Sequence, residues 1–131
     1  MVKTKLIKFK VFKDLNSLLT PIDNKQLPFT IKRIFYIYQL KAKDIRGGHA
    51  HKKCKQLLIC LKGRIKVVCR DGNVRIHYIL DNPKIGLYIP PMVWATQYFQ
   101  QDDSILLVLA DKYYSQADYI HDYKKFKEIN G

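Results

Sequence analysis

The sequence predicts an all-β fold. Short segments alternate apolar and polar residues with a period of two, and turn signals separate them at close intervals. That is the pattern of a sandwich or barrel rather than of a parallel α/β sheet. Helical spacing of apolar residues occurs in the tail alone.

Leu6 to Phe12 alternates and reads as a first strand, and Thr30 to Leu40, rich in β-branched and aromatic residues, as a second. Gln56 to Leu61 and Arg64 to Cys69 flank Lys62-Gly63 as a hairpin, with a further tight turn at Asp71-Gly72. Val74 to Leu80 resumes the alternation until Asp81-Asn82-Pro83 breaks it. Gly86 to Ile89 is a short strand, and Ser104 to Ala110 is apolar throughout, as suits a buried one. In the tail, Ser115 with Asp118 three residues later has the form of a capping box, and Tyr119, Tyr123, Phe126 and Ile129 follow at helical spacing. A short amphipathic helix is expected there, packed on the barrel or on a partner subunit.

The length of 131 residues bounds a single domain, 1–131. Lys and Arg outnumber Asp and Glu by 24 to 11, and the net charge of +13 favours an anionic partner. The basic residues are scattered, with short runs such as Lys52-Lys53 and Lys124-Lys125, and no aromatic residues interleave with a basic stripe. This argues against nucleic acid and leaves a phosphorylated metabolite. No apolar stretch of signal-peptide length follows the basic start Met1-Val2-Lys3-Thr4-Lys5, and no run approaches the ~20 residues of a membrane helix. A soluble cytoplasmic protein without membrane association is expected. Cys54, Cys60 and Cys69 are odd in number and form no C-x-x-C pair, so they read as packing residues in a reducing compartment rather than as a disulfide framework or zinc site.

The segment richest in chemistry is Arg46-Gly47-Gly48-His49-Ala50-His51-Lys52-Lys53-Cys54-Lys55-Gln56, followed by an apolar strand and Gly63. His49 and His51, two apart, share one face of an extended strand and can act on one substrate. The spacing H-x-H, four residues, an amide, six residues and Gly resembles the first cupin motif, which in metal-binding cupins supplies His, His and Glu. Gly86-Leu87-Tyr88-Ile89-Pro90-Pro91-Met92-Val93-Trp94-Ala95 resembles the strand and proline turn of the second. The fold expected from these motifs is a cupin, an RmlC-like jelly-roll β-barrel with a short C-terminal helix. Gln56 stands where the metal-binding carboxylate would be and Ala95 where the third histidine would be, so no metal is expected. Two neutral imidazoles are then free for proton transfer near neutral pH. The bland alternative is a pair of satisfied polar residues on a barrel wall.

Ile31-Lys32-Arg33, the tyrosine-rich strand after it, Arg46-Gly47-x-His49-Ala50-His51-Lys52-Lys53, Gly86-Leu87-Tyr88, Trp94, Ala110-Asp111-x-Tyr113-Tyr114 and Asp118-Tyr119-Ile120 together resemble the dTDP-4-oxo-6-deoxy-D-glucose 3,4-ketoisomerases, over nearly the whole chain. The resemblance implies a homodimeric barrel binding a dTDP-linked 4-oxo-6-deoxyhexose, without a cofactor, on the route to 3-amino-3,6-dideoxyhexoses of surface glycans. Arg46 is the first candidate for the diphosphate and Arg33 the second, because the guanidinium fork matches phosphate oxygens. Surface ion pairs are the alternative for both.

The expected base is His51, taking the C3 proton beside the C4 ketone. His49 with Tyr36 would shuttle protons between O3 and O4 and hold the oxyanion. Tyr36 and Tyr38 share a strand face, and core packing is the alternative for them. Trp94 and Gln97 are expected at the rim, against sugar or base, and Gln56 is a further candidate for binding the nucleotide or substrate. Galacto-forming relatives, as the resemblance implies, carry a histidine after the tryptophan and an arginine near the chain start; here those positions are Ala95 and Leu15. A gluco-configured product, or a mixture, is therefore expected. The rival readings are a non-catalytic sugar-binding cupin and a deoxysugar 3,5-epimerase, whose His–Asp pair is not visible in the sequence.

Overall fold

The computed structural model describes residues 3–130, so Met1 and Val2 of the basic start and the terminal Gly131 lie outside the described residues. The strands in chain order are β1 (Lys5–Lys8), β2 (Phe12–Asp14), β3 (Ser17–Leu19), β4 (Arg33–Leu40), β5 (Ile45–His51), β6 (Gln56–Lys62), β7 (Ile65–Asp71), β8 (Val74–Leu80), β9 (Ile85–Ile89), β10 (Trp94–Phe99), β11 (Ser104–Ala110) and β12 (Tyr119–Ile120); the helix α1 (Tyr123–Asn130) follows. Two five-stranded sheets, ordered β1-β9-β6-β11-β4 and β12-β5-β10-β7-β8, face one another, and β2 and β3 form a separate ribbon. Every strand pairing is antiparallel. This is the two-sheet jelly-roll layout expected from the motifs.

The inner faces meet in a core that includes Leu58, Cys60, Ile65, Val67, Cys69 and Leu87. The neighbours Leu57 and Ile59 point the other way, into a second cluster closed by Phe9, Leu27 and Phe29. Burial on both faces explains why β6 is apolar without alternation. A third cluster puts Ala50, Trp94 and Ile120 of the second sheet under Phe126 of α1. All three cysteines are free and buried, and burial pushes the thiols of Cys60 and Cys69 up to about 11 and about 12. They are packing residues, as expected. Among the described residues no helix is long and apolar enough to cross a membrane.

Two expectations are corrected. The alternation from Leu6 to Phe12 is not one strand: β1 ends at Lys8, opposite Ile85, because its partner β9 begins there, and Phe12 opens the β2–β3 ribbon. The tail does not become helical at Ser115, whose side chain caps nothing. A single 3-10 turn, Gln116–Asp118, is followed by strand β12, and α1 starts later, capped by the Asp122 carboxylate accepting from the N–H groups of Lys124 (3.0 Å) and Lys125 (3.4 Å). Tyr119 therefore lies on a strand opposite His51 rather than on a helix.

The register between β5 and β10 slips at Gly47-Gly48: Ala95 opposes His49, while Thr96 opposes Gly47. This bulge bends β5 into the barrel mouth. Gly47 has φ of 79°, and a Cβ there would lie 2.6 Å from Gln97 Oε1 and 2.9 Å from the Ala95 carbonyl. Gly48 has φ of 71° but open space around it. Gly47→Ala is accordingly expected to cost about 2–4 kcal/mol, the left-handed penalty plus overpacking, against about 1 kcal/mol for Gly48→Ala. Urea denaturation midpoints of the two variants check the difference; equal losses would mean the close approach to Gln97 is unimportant.

Candidate active site

A cavity of about 410 Å³ opens between the sheets at the end where β5 is bulged. Its floor is apolar, built from Phe35, Ile37, Leu58, Leu106 and Val108, and its polar wall carries Arg46, His49, Gln56, Gln97, Tyr119 and His121. Gln56 and Gln97, both buried, are among its lining residues.

His49 and His51 project from the same face of β5, with ring centroids 5.0 Å apart and planes at 89°. His49 lines the cavity, whereas His51 lies behind it and is 5 % exposed. Burial, and then Coulombic interaction with the His51 and His121 imidazoles, lower the pKa of His49 to about 4. Burial also lowers that of His51, partly opposed by Asp118. Both imidazoles are thus neutral at pH 7, each with one unprotonated ring nitrogen.

The partner of His51 is Asp118, whose Oδ2 lies 3.0 Å from Nδ1. The carboxylate also accepts from the N–H groups of Lys53 (2.8 Å) and Cys54 (3.2 Å). Nδ1 therefore carries the proton, and Nε2, buried without a hydrogen-bond partner in the protein, holds the free lone pair. Cys54 completes a His51–Cys54–Asp118 group whose ligand atoms lie within 4.8 Å of one another. Its carboxylate is already occupied by three N–H donors, which makes the group a hydrogen-bonded support for His51.

The expected site residues divide into those that reach the cavity and those that do not. Arg46, His49, Gln56 and Gln97 reach the cavity. Arg33 does not line it. It shares the inward face of β4 with Phe35 and Ile37, its guanidinium lies over the rings of Phe35 (5.0 Å) and Tyr114 (5.6 Å), and its Nε is buried without a partner. Tyr36 and Tyr38 are corrected: they lie on the outward face of β4, 62 % and 60 % exposed, because the alternation that turns Phe35 and Ile37 inward turns them out. Trp94 is corrected as well. It is buried behind the barrel, with Tyr123 at 5.1 Å and Phe126 at 5.6 Å, so it packs α1 and does not meet the cavity.

Three site residues escaped the sequence reading: Asp118, Tyr119 and His121. Tyr119 packs 4.8 Å from His49 and 4.4 Å from His51, and His121 stacks on Tyr119 at 5.3 Å and 7°. The Asp-Tyr-Ile triplet carried part of the family resemblance, yet the apparent capping box assigned Asp118 to a helix. The expectation that no aspartate pairs with a histidine is corrected.

A family model described as FdtA, WxcM-like, C-terminal, matches residues 2–131. The TDP-4-oxo-6-deoxy-alpha-D-glucose-3,4-oxoisomerase of Aneurinibacillus thermoaerophilus is 42% identical over 128 residues, covering 97% of this chain and 92% of that protein. A histidine-to-asparagine variant of the 3,4-ketoisomerase QdtA from Thermoanaerobacterium thermosaccharolyticum, solved with TDP-4-keto-6-deoxyglucose, is 38% identical with a TM-score of 0.94 over 99% of this chain and 95% of that one. The dTDP-4-dehydrorhamnose 3,5-epimerase of Bacillus anthracis shares the fold alone, at 21% identity, with a TM-score of 0.80 over 89% of this chain and 77% of that one. With its histidine strand, its barrel cavity and likeness along nearly its whole length, the chain belongs to the FdtA-like family of cupin-fold 3,4-ketoisomerases.

Proposed function

We propose that the cavity moves the ketone of a dTDP-linked 4-oxo-6-deoxyhexose from C4 to C3. The observation that carries this reading is the His51–Asp118 pair behind His49, a base with its free nitrogen fixed by a carboxylate, beside a cavity of sugar size. His51 Nε2 takes the C3 proton. The C–H electron pair forms the C3=C4 bond, and the carbonyl pair moves onto O4 to give an enediolate. His49 transfers the O3 proton towards O4, with the Gln56 and Gln97 amides as hydrogen-bond donors to the oxygens. Protonation at C4 completes the 3-ketone. Carbon is neither oxidised nor reduced overall, so the reaction calls for no redox cofactor. Arg46, exposed at the mouth and with no carboxylate partner among the described residues, binds the diphosphate, with Arg33 behind it. Three free buried thiols fit a reducing compartment such as the cytoplasm.

The same reading includes a homodimer. A two-stranded ribbon is marginally stable alone, and β2–β3 exposes Phe12, Leu15, Leu18 and Leu19. On the outer face of edge strand β4, Ile34, Tyr36 and Tyr38 are exposed, and Tyr36, Tyr38, Leu61, Ile105 and Leu107 line an apolar depression. The ribbon of one copy covering this face of another would bury both surfaces.

Incubation with dTDP-4-oxo-6-deoxyglucose in deuterated water is expected to move the carbonyl signal from C4 to C3, with deuterium at the reacting carbons. Exchange at C3 and C5 without migration of the ketone would instead mark a 3,5-epimerase, and binding without any exchange a non-catalytic cupin.

Asp118→Asn removes the group that holds the proton on Nδ1 and raises the His51 pKa. Its kcat is expected to fall about 100-fold or more, as for loss of an acid–base group, with KM little changed. Because the base must be neutral, the acid limb of the pH–rate profile should shift to lower pH. A limb that does not move would limit Asp118 to tethering the tail.

In sedimentation the wild type is expected at twice 15.5 kDa. Tyr36→Lys with Tyr38→Lys should sediment as a monomer. A wild type that runs as a monomer would reject the dimer.

A further inference from the structure

We propose that His121 is the general acid that delivers the proton to C4, a role that rests on the ketoisomerase reading above. The reaction needs a donor at C4 as well as an acceptor at C3. The cavity-lining side chains with an imidazole or phenol group are few: His49, Tyr119 and His121. Burial keeps His49 a neutral imidazole, as it does His51 behind it, and so disfavours either as the cationic acid. On the β10 side of the histidine strand the inward positions are Ala95 and Gln97, neither of which titrates. Tyr36 lies outside the barrel. The donor has to come from the β12 side, where His121 stands.

Its position is well defined. The preceding residue, Ile120, pairs with Ala50 of β5, and the following one, Asp122, caps α1, so the backbone is held on both sides. The ring stacks on Tyr119 at 5.3 Å and lies 5.8 Å from His49, across the mouth. Unlike half-buried His49 and buried His51, His121 is exposed at the rim, so it can recover a proton from water after each turnover. Sheet order adds a consequence: β10 and β12 flank β5 on opposite sides, two strand spacings apart, about 9.6 Å. A proton from β12 reaches the enediolate from the side opposite to anything β10 could supply. In the step itself, the imidazolium N–H bond of His121 breaks as the C4–H bond forms and the enediolate electrons return to give the C3 carbonyl. The proton taken from C3 leaves through His51.

Substrate deuterated at C3 and turned over in ordinary water tests the division of labour. With separate base and acid, no label should appear at C4; transfer of the label from C3 to C4 would overturn the proposal. His121→Gln is expected to lower formation of the 3-oxo sugar about 100-fold while C3 exchange in deuterated water continues. Added imidazole should restore turnover to His121→Gly. Wild-type turnover by His121→Gln, or loss of C3 exchange along with turnover, would reject the role, as would an effect confined to Tyr119→Phe. A wild-type protein that forms no 3-oxo sugar would instead reject the ketoisomerase reading.

Discussion

The arrangement of the site depends on the Asp118 carboxylate. It binds His51 Nδ1 and the N–H groups of Lys53 and Cys54, while the Asp118 carbonyl accepts from Lys52 N–H at 2.8 Å. Four donors from a single stretch of chain thus converge on one residue 67 positions away from His51. Charge-assisted bonds of this kind are among the stronger ones in proteins, and here they also set the strand pairing of β12 with β5. Together with the packing of Ile120 and Phe126 on Ala50 and Trp94, they hold the tail beside the histidine strand, where Tyr119 and His121 line the cavity. A single side chain fixes the tautomer of one histidine and recruits the wall around the other.

The bulge at Gly47-Gly48 complements this tie from the opposite side of β5. It allows the strand to approach β10 closely enough for the Gln97 amide to pass over Gly47, and it changes which β5 residues look inward. Arg46 and His49 both line the cavity although an unbroken strand would send them to opposite faces. The glycine pair is what brings the cation for the diphosphate and an imidazole for the sugar into one wall.

Much of this was legible in the sequence. Alternation, apolar runs and turn signals located most strands of the barrel, and the H-x-H spacing with Gln56 and the proline turn pointed to strands that border the cavity. What stayed hidden has physical reasons. Parity within β4 shows that Tyr36 and Phe35 face opposite ways but does not say which face is inside, and aromatic residues fit both. Trp94 adjoins the core residue Ala95 in sequence, yet the strand alternation sends it the other way to be covered by Phe126. Asp118 satisfied a local capping pattern, while its actual bonds are long-range, and a local pattern cannot report a contact that only the folded topology creates. His121 had no neighbour in the sequence to mark it. Its surroundings come from β5 and from the tie that precedes it.

Charge and chemistry are kept apart in this barrel. The excess of basic residues lies mostly outside, and Arg46 at the mouth is the guanidinium that lines the cavity. Further in, burial and mutual repulsion strip the histidines of their charge: His49 titrates near 4, so bringing a proton onto it at neutral pH is costly until substrate supplies compensating negative charge. An enediolate is that compensation. As negative charge develops on O4, a protonated imidazole beside it becomes favourable, so the same burial that disfavours the cation in the empty site favours proton transfer in step with the reaction. The interaction is then stronger in the transition state than in the ground state, which is the condition for accelerating the chemical step rather than merely tightening binding.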